Sequence, residues 1–186
     1  RFYHKFNEKN SLATRIIAGV AYPYGNSEQI PFSRQFFVGG SNSIRAFRAR
    51  TLGPGSFDPR TVDERFFFDQ SGDLKLELNA EYRLNVYDFF NIALFADAGN
   101  IWLINEDTNR PGGKFSKEWV NEIAVGAGLG LRLDFSILVL RLDLAMPLRV
   151  PYYEKDDRWT FDKIDFGNSD WRKDNLILNI AIGYPF

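Results

Sequence analysis

The chain has no cysteine and only one histidine among its 186 residues. Without cysteine there is no disulfide staple and no thiolate metal site. His4 is the lone imidazole and no ligand-spaced carboxylates accompany it, so neither a metal centre nor a histidine-based hydrolase is expected. An excess of one charge is also missing, because 23 Lys and Arg are interspersed with 24 Asp and Glu. A nucleic-acid groove would carry a basic excess, so no nucleic-acid partner is expected. No stretch reaches the ~18–20 consecutive apolar residues of a membrane helix. That excludes helices alone, since strands crossing a bilayer place apolar residues at every second position. The start, Arg1-Phe2-Tyr3-His4-Lys5-Phe6, does not have the form of a secretory leader. It reads instead as the inside of a strand, which points to the end of a longer protein.

What the chain does have is alternation. From Leu176 to Phe186, Leu176, Leu178, Ile180, Ile182, Tyr184 and Phe186 fall on one face, with Ile177, Asn179, Ala181, Gly183 and Pro185 on the other. A strand has a side-chain period of two, so this segment predicts one wholly apolar face ending on an aromatic residue. In Asp73–Tyr87, Leu74, Leu76, Leu78, Ala80, Tyr82 and Leu84 oppose Lys75, Glu77, Asn79, Glu81, Arg83 and Asn85. On a helix those charges would surround the axis, so a helix is excluded. The same pattern predicts strands over Leu12–Tyr24, Phe90–Leu103, Glu122–Phe135 and Ile137–Leu148, with a fragment at Phe2–Phe6. That makes six full strands and a partial one.

Connections alternate in length. Short turns are expected near 8–10, 87–89 and 134–137, and long loops at about 25–72, 104–119 and 149–174. Charges stay on one face of every strand, as the cost of a charge against hydrocarbon demands. Long strands, 18 phenylalanines, and short turns at one end with long loops at the other predict an all-β, antiparallel transmembrane β-barrel. Residues 1–186 would be the carboxyl-terminal part of one barrel domain, because eight strands is the known minimum for closure. The competing reading, a soluble sheet with one wet face, needs six successive strands with no helix to cover the apolar side.

The connection at about 25–72 is far longer than ordinary loops and too aromatic to be left in water. Gly39-Gly40 allows a sharp reversal. Its arginines need a polar cavity with carboxylates, which the lumen of a barrel supplies. Asp97, Gly99, Gly126, Gly128 and Gly130 fall on the lumen face of two successive strands. The glycines predict a smooth berth for the loop, with Arg45 paired to Asp97 through its planar fork. Exchanging the two charges is expected to recover what each single change loses. Arg132, Asp134, Arg141 and Asp143 are expected to form a ladder of cross-strand ion pairs near the short-turn end. Asp156-Asp157 and Asp162–Asp165 could hold calcium, but a solvated surface is the favoured reading.

Phe37-Val38-Gly39-Gly40-Ser41-Asn42-Ser43-Ile44-Arg45-Ala46-Phe47 resembles the signature loop of the barrel-assembly and two-partner-secretion superfamily, the BamA- and TamA-type insertases and their secretion relatives. That family pairs a Val/Ile-Arg-Gly-Phe/Tyr tip with a Phe-x-Asp-x-Gly motif two strands later, matched here by Phe95-Ala96-Asp97-Ala98-Gly99. The resemblance covers the whole chain and implies the last part of a sixteen-stranded barrel in the bacterial outer membrane. Its loop-tip residues would be Gly39, Gly40, Ile44, Arg45, Ala46 and Phe47; its lumen partners Phe95, Asp97 and Gly99; its berth Gly126, Gly128 and Gly130. Ile180, Ile182, Tyr184 and Phe186 would form the terminal strand signal. The family's glycine after the arginine is Ala46 here; were that position at positive φ, alanine would be strained and the tip shaped differently.

The implied function is folding and insertion of β-barrel client proteins through a lateral seam, with no enzymatic chemistry and no cofactor. The implied partners are outer-membrane lipid, nascent barrel clients, upstream periplasmic modules and accessory subunits. The alternatives are a two-partner secretion pore of the same superfamily, a ligand-binding or structural barrel, and an enzyme with an upstream catalytic domain.

Overall fold

The computed structural model describes residues 1–26, 30–61, 69–135 and 137–186. Parts of the expected loop at about 25–72 and of the turn at 134–137 therefore lie outside the described residues. Seven strands form one antiparallel sheet in which each strand pairs with its neighbours in sequence. They are β1 (Phe2–Lys5), β2 (Asn10–Val20), β3 (Leu74–Tyr87), β4 (Phe90–Trp102), β5 (Ala124–Asp134), β6 (Val139–Arg149) and β7 (Ile177–Ile182). Among the described residues no helix is long and apolar enough to cross a membrane. Among the described residues the one α-helix, α1 (Ser169–Asn175), lies in the last long loop, where Asn168 Oδ1 accepts from the Asp170 and Trp171 amides. The alternation gave no warning of it.

The period of two sorts the sheet as the pattern requires. Ala13, Arg15, Glu77, Asn79, Glu81, Ala93, Phe95, Asp97, Arg132, Arg141 and Asp143 are buried on one face. Ile16, Leu94, Leu129, Leu144, Leu178 and Ile180 are exposed on the other. The sheet is curled: the Arg15 guanidinium on β2 lies 3.4 Å from the carbonyl of Pro185, beyond β7. The polar face is thus the inside and the apolar face the outside, the inverse of a soluble sandwich. At the short-turn end, Tyr87, Phe89 and Phe135 make a chain of ring contacts at 6.4 and 6.3 Å across the strand ends.

Two strand ends depart from the alternation. β2 stops at Val20, short of Tyr22 and Tyr24. More consequentially, β7 stops at Ile182. Ile180 and Ile182 stay on the outer face, but the terminal strand signal does not continue outward through Tyr184 and Phe186. Gly183 has φ +87°, and beyond it the chain turns inward, leaving Phe186 only 6% exposed. Alternation assumes extended backbone throughout, and a left-handed glycine ends that assumption.

Candidate functional site

The connection from β2 to β3 folds back across the inside of the sheet. Its segment 38–50 closes on itself: the Gly40 amide donates to the Phe47 carbonyl at 2.8 Å and the Arg50 amide to that of Val38 at 3.0 Å. Gly39 and Gly40 have φ of +94° and +91°, and a Cβ on Gly39 would run into the Arg48 carbonyl. Only glycine fits there. Val38, Ile44, Ala46, Phe47 and Leu52 then pack with Phe95, Ile101, Ala124 and Ala145 of the wall in one buried cluster. Burying such side chains stabilises the docked loop by ~1.5–3 kcal/mol for each large one.

Arg45 lies at the centre, 1% exposed. Its Nε donates to Asp97 Oδ2 at 2.8 Å and its Nη2 to Asp97 Oδ1 at 3.0 Å, a two-pronged fork on the carboxylate. Its backbone amide also donates to Asp97 Oδ2, at 3.1 Å. Nη1 donates to Glu81 Oε2 at 2.6 Å and lies 3.6 Å from Asp143 Oδ2. The guanidinium carbon stands 3.5 Å from the Phe95 ring centroid. Burial alone would make the guanidinium easier to deprotonate, but the bonds and charges of Asp97 and Glu81 outweigh it and raise its pKa. Arg45 therefore stays charged.

Each position of Phe95-x-Asp97-x-Gly99 has its own part. Phe95 supplies the face under the guanidinium, Asp97 the fork's acceptor, and Gly99 a bare backbone where a Cβ would strike the Leu76 carbonyl and the Glu77 Cα on β3. Ala46 departs from the family's glycine at no conformational cost, because the one non-glycine at positive φ among the described residues is Arg50. The expected reshaping of the tip is not required.

The glycine berth is narrower than its spacing implied. A Cβ on Gly126 would meet the Cβ of Ala46 first, so Gly126 does receive the loop. At Gly128 it would first meet the Leu144 carbonyl and the Phe95 ring, and at Gly130 the Arg132 guanidinium and the Asp143 carboxylate. Those two glycines make room for wall side chains. The cross-strand pairing expected of these charges holds for Arg132 with Asp143, and it is part of the clamp. Arg132 pairs with Glu81 at 2.9 Å and Asp143 at 2.5 Å, and Arg141 with Asp143 at 3.1 Å. These residues complete the ring around Arg45, because the curl of the sheet brings lumen faces of non-adjacent strands together.

Several residues of the site were legible only as lumen-facing and polar. Arg15 pairs with Glu77 at 2.6 Å and donates to the Asn42 carbonyl at 2.7 Å. Asn79 donates to Asp97 Oδ1 and to the Ser43 carbonyl, at 2.8 and 2.9 Å. Arg141 donates to the Ser41 carbonyl at 2.7 Å, and Asn179 of β7 to the Arg45 carbonyl at 3.0 Å. Side chains from β2, β3, β4, β6 and β7 thus hold the main chain of 41–45, and the side chains of Asn42, Ser43 and Arg45 add their own contacts to the wall. The buried charges around segment 41–45 balance: Arg15, Arg45, Arg132 and Arg141 against Glu77, Glu81, Asp97 and Asp143. Arg50 lies outside this set, paired with Asp69 at 2.5 Å.

The arrangement is a clamp. Its carboxylates are all committed to arginines, which suits holding a loop more than moving protons.

Among known proteins, the model of the Omp85 superfamily domain matches residues 1–163. The outer membrane protein assembly factor BamA of Neisseria meningitidis serogroup B is 33% identical over 89 residues, covering 45% of this chain and 11% of that protein. Among solved structures, CdiB from Acinetobacter baumannii superposes with a TM-score of 0.52 at 18% identity, over 97% of this chain and 25% of that one. That likeness shows the fold alone, and the matches span a quarter or less of either relative.

Proposed function

We propose, for a chain that belongs to the Omp85 superfamily and to the bacterial outer membrane, that it is part of an assembly factor that folds and inserts β-barrel client proteins. It would do so without covalent chemistry, at a strand seam rather than through the lumen. The observation that carries this reading is the occupied interior. Segment 38–50 fills the curled face, with its own Arg45 buried and Glu81, Asp97, Arg132 and Asp143 of the wall buried around that arginine. Strand addition at a sheet edge needs no clear lumen, since an edge presents unpaired amides and carbonyls that template an incoming strand. β7 is such an edge within this sheet, pairing with β6 over six positions from Leu140↔Ile182 to Ala145↔Ile177. The 33% identity to an assembly factor supports the same choice.

The second reading is a secretion pore, favoured by the fold likeness to CdiB. It requires the clamp to open and 38–50 to leave. Full-length protein in liposomes separates the two. An unfolded barrel client should reach its heat-modifiable folded form faster than with empty liposomes. Export of an unfolded passenger into the vesicle, without faster barrel insertion, would replace the first reading with the second.

A further inference from the structure

The Gly183 amide still donates to the Val139 carbonyl of β6 at 2.7 Å, but Tyr184, Pro185 and Phe186 neither continue the sheet nor belong to the Arg45 clamp. Gly183 turns them inward, and nothing lies within 4 Å of where its Cβ would be, so this is a conformational turn without crowding. Tyr184 and Phe186, two apart, then reach two arginines of the opposite wall. The Arg83 guanidinium lies 4.5 Å from the Tyr184 ring centroid and 6.0 Å from that of Phe186. The Arg15 guanidinium lies 4.9 Å from the Phe186 ring. Arg15 Nη1 donates to the Pro185 carbonyl at 3.4 Å and Arg83 Nη2 to that of Phe186 at 3.5 Å. Both arginines are anchored from behind, Arg15 by Glu77 and Asn79 and Arg83 by Glu81. Their flat faces are thereby presented to the lumen.

We propose that Arg15 and Arg83 form an aromatic-binding socket whose ligand is this chain's own Tyr184-Pro185-Phe186. The occupied socket ties the end of β7 to β2 and β3 across the lumen, independently of the β6–β7 ladder. A guanidinium face prefers an aromatic ring to an aliphatic side chain of similar size, because the ring quadrupole attracts the cation. Burial of Phe186 alone carries no such preference, and that difference is the handle. The inference goes beyond the function proposed above and holds for an inserting or a secreting protein alike.

The test uses full-length protein in liposomes with Pro185→Cys as reporter, since Pro185 is buried when the socket is filled. Its rate of labelling by a polar maleimide reports how often the segment leaves. Phe186→Leu should speed labelling by roughly five- to tenfold, as loss of a partly desolvated cation–π contact implies, while Phe186→Trp leaves the rate unchanged or slower. Arg83→Gln should also speed it, and Arg83→Gln with Phe186→Leu by less than the product of the single effects, because they remove a shared contact. Equal rates for Leu and Trp at 186, or independent effects in the double variant, would overturn the socket. Should Phe186→Leu fail to give a heat-modifiable folded band, the comparison of Arg83→Gln with Phe186→Trp still decides: no acceleration by Arg83→Gln contradicts the proposal.

Discussion

Arg45 and Asp97, 52 residues apart, are joined by three hydrogen bonds of 2.8, 3.0 and 3.1 Å, two from the guanidinium and one from the arginine's own amide. Asp97 is thus an acceptor for loop backbone as well as for loop charge. Losing either member should undock segment 38–50, because removing one side of a buried pair costs ~3–5 kcal/mol. Arg45→Ala and Asp97→Asn should each make the loop a protease target in folded, liposome-embedded protein. The wild-type loop should resist under the same conditions.

The same geometry alters what a charge exchange should do. In the double variant Arg45→Asp with Asp97→Arg, the new carboxylate at 45 would face Glu81, now 2.6 Å from Nη1, and the amide at 45 would face a cation. Recovery should therefore be slight, measured by the same loop proteolysis. Rescue to wild-type resistance would mean that the amide and Glu81 contacts do not matter.

Steric fit offers a cleaner exchange. Gly126→Ala should drive its Cβ into that of Ala46 and loosen the loop by about 1–3 kcal/mol, the usual range for overpacking. Ala46→Gly in the same chain should restore it. Proteolysis protection of segment 38–50 reads both, and a rescue absent from the double variant would place the loop elsewhere.

At the far end of the long loops, Glu122 is a buried carboxylate whose Oε2 accepts from Trp102 Nε1 at 2.6 Å. Burial pushes its pKa up, and the Trp102 bond and the Arg158 charge only partly offset this. A raised folded pKa means that the contribution is complete below the ordinary glutamate range. It is lost as pH rises through the raised value. The packing of Trp102, Phe115 and Trp119 should loosen over that window, seen in tryptophan fluorescence. Glu122→Gln should flatten the dependence.

Much of this was written in the alternation. A lipid-facing strand must carry apolar residues at every second position, so strand identity, facing and order could be read from Leu74–Tyr87 or Phe90–Leu103 alone. The Arg45–Asp97 pair was legible because both residues sit in motifs with a steric reason for each neighbour. What escaped depended on curl and on φ. Glu81 on β3 is far in sequence from Arg132 on β5 and Asp143 on β6, and only the curl of the sheet gathers the three around Arg45. Gly183 reads as one more small residue on the inner face until its φ of +87° redirects Tyr184 and Phe186. Asn179 was legible only as a polar residue of the inner face between Leu178 and Ile180, yet it holds the Arg45 carbonyl. Asn179→Ala should cost only ~0.5–1.5 kcal/mol, as one neutral hydrogen bond does. A modest rise in loop proteolysis is the expected reading, well short of that for Arg45→Ala.

The central claim is that the loop stays clamped in the lumen while the protein handles a client at the strand seam. Cysteines at Ser43 and Glu77, whose side chains meet at 3.0 Å between loop and wall, can be joined by a short bifunctional thiol reagent to fix the loop in its berth. Full-length protein locked in this way, in liposomes, should still speed insertion of an unfolded barrel client at close to the unlocked rate. Insertion that stops on locking and returns with a cleavable reagent once it is cut would contradict the account.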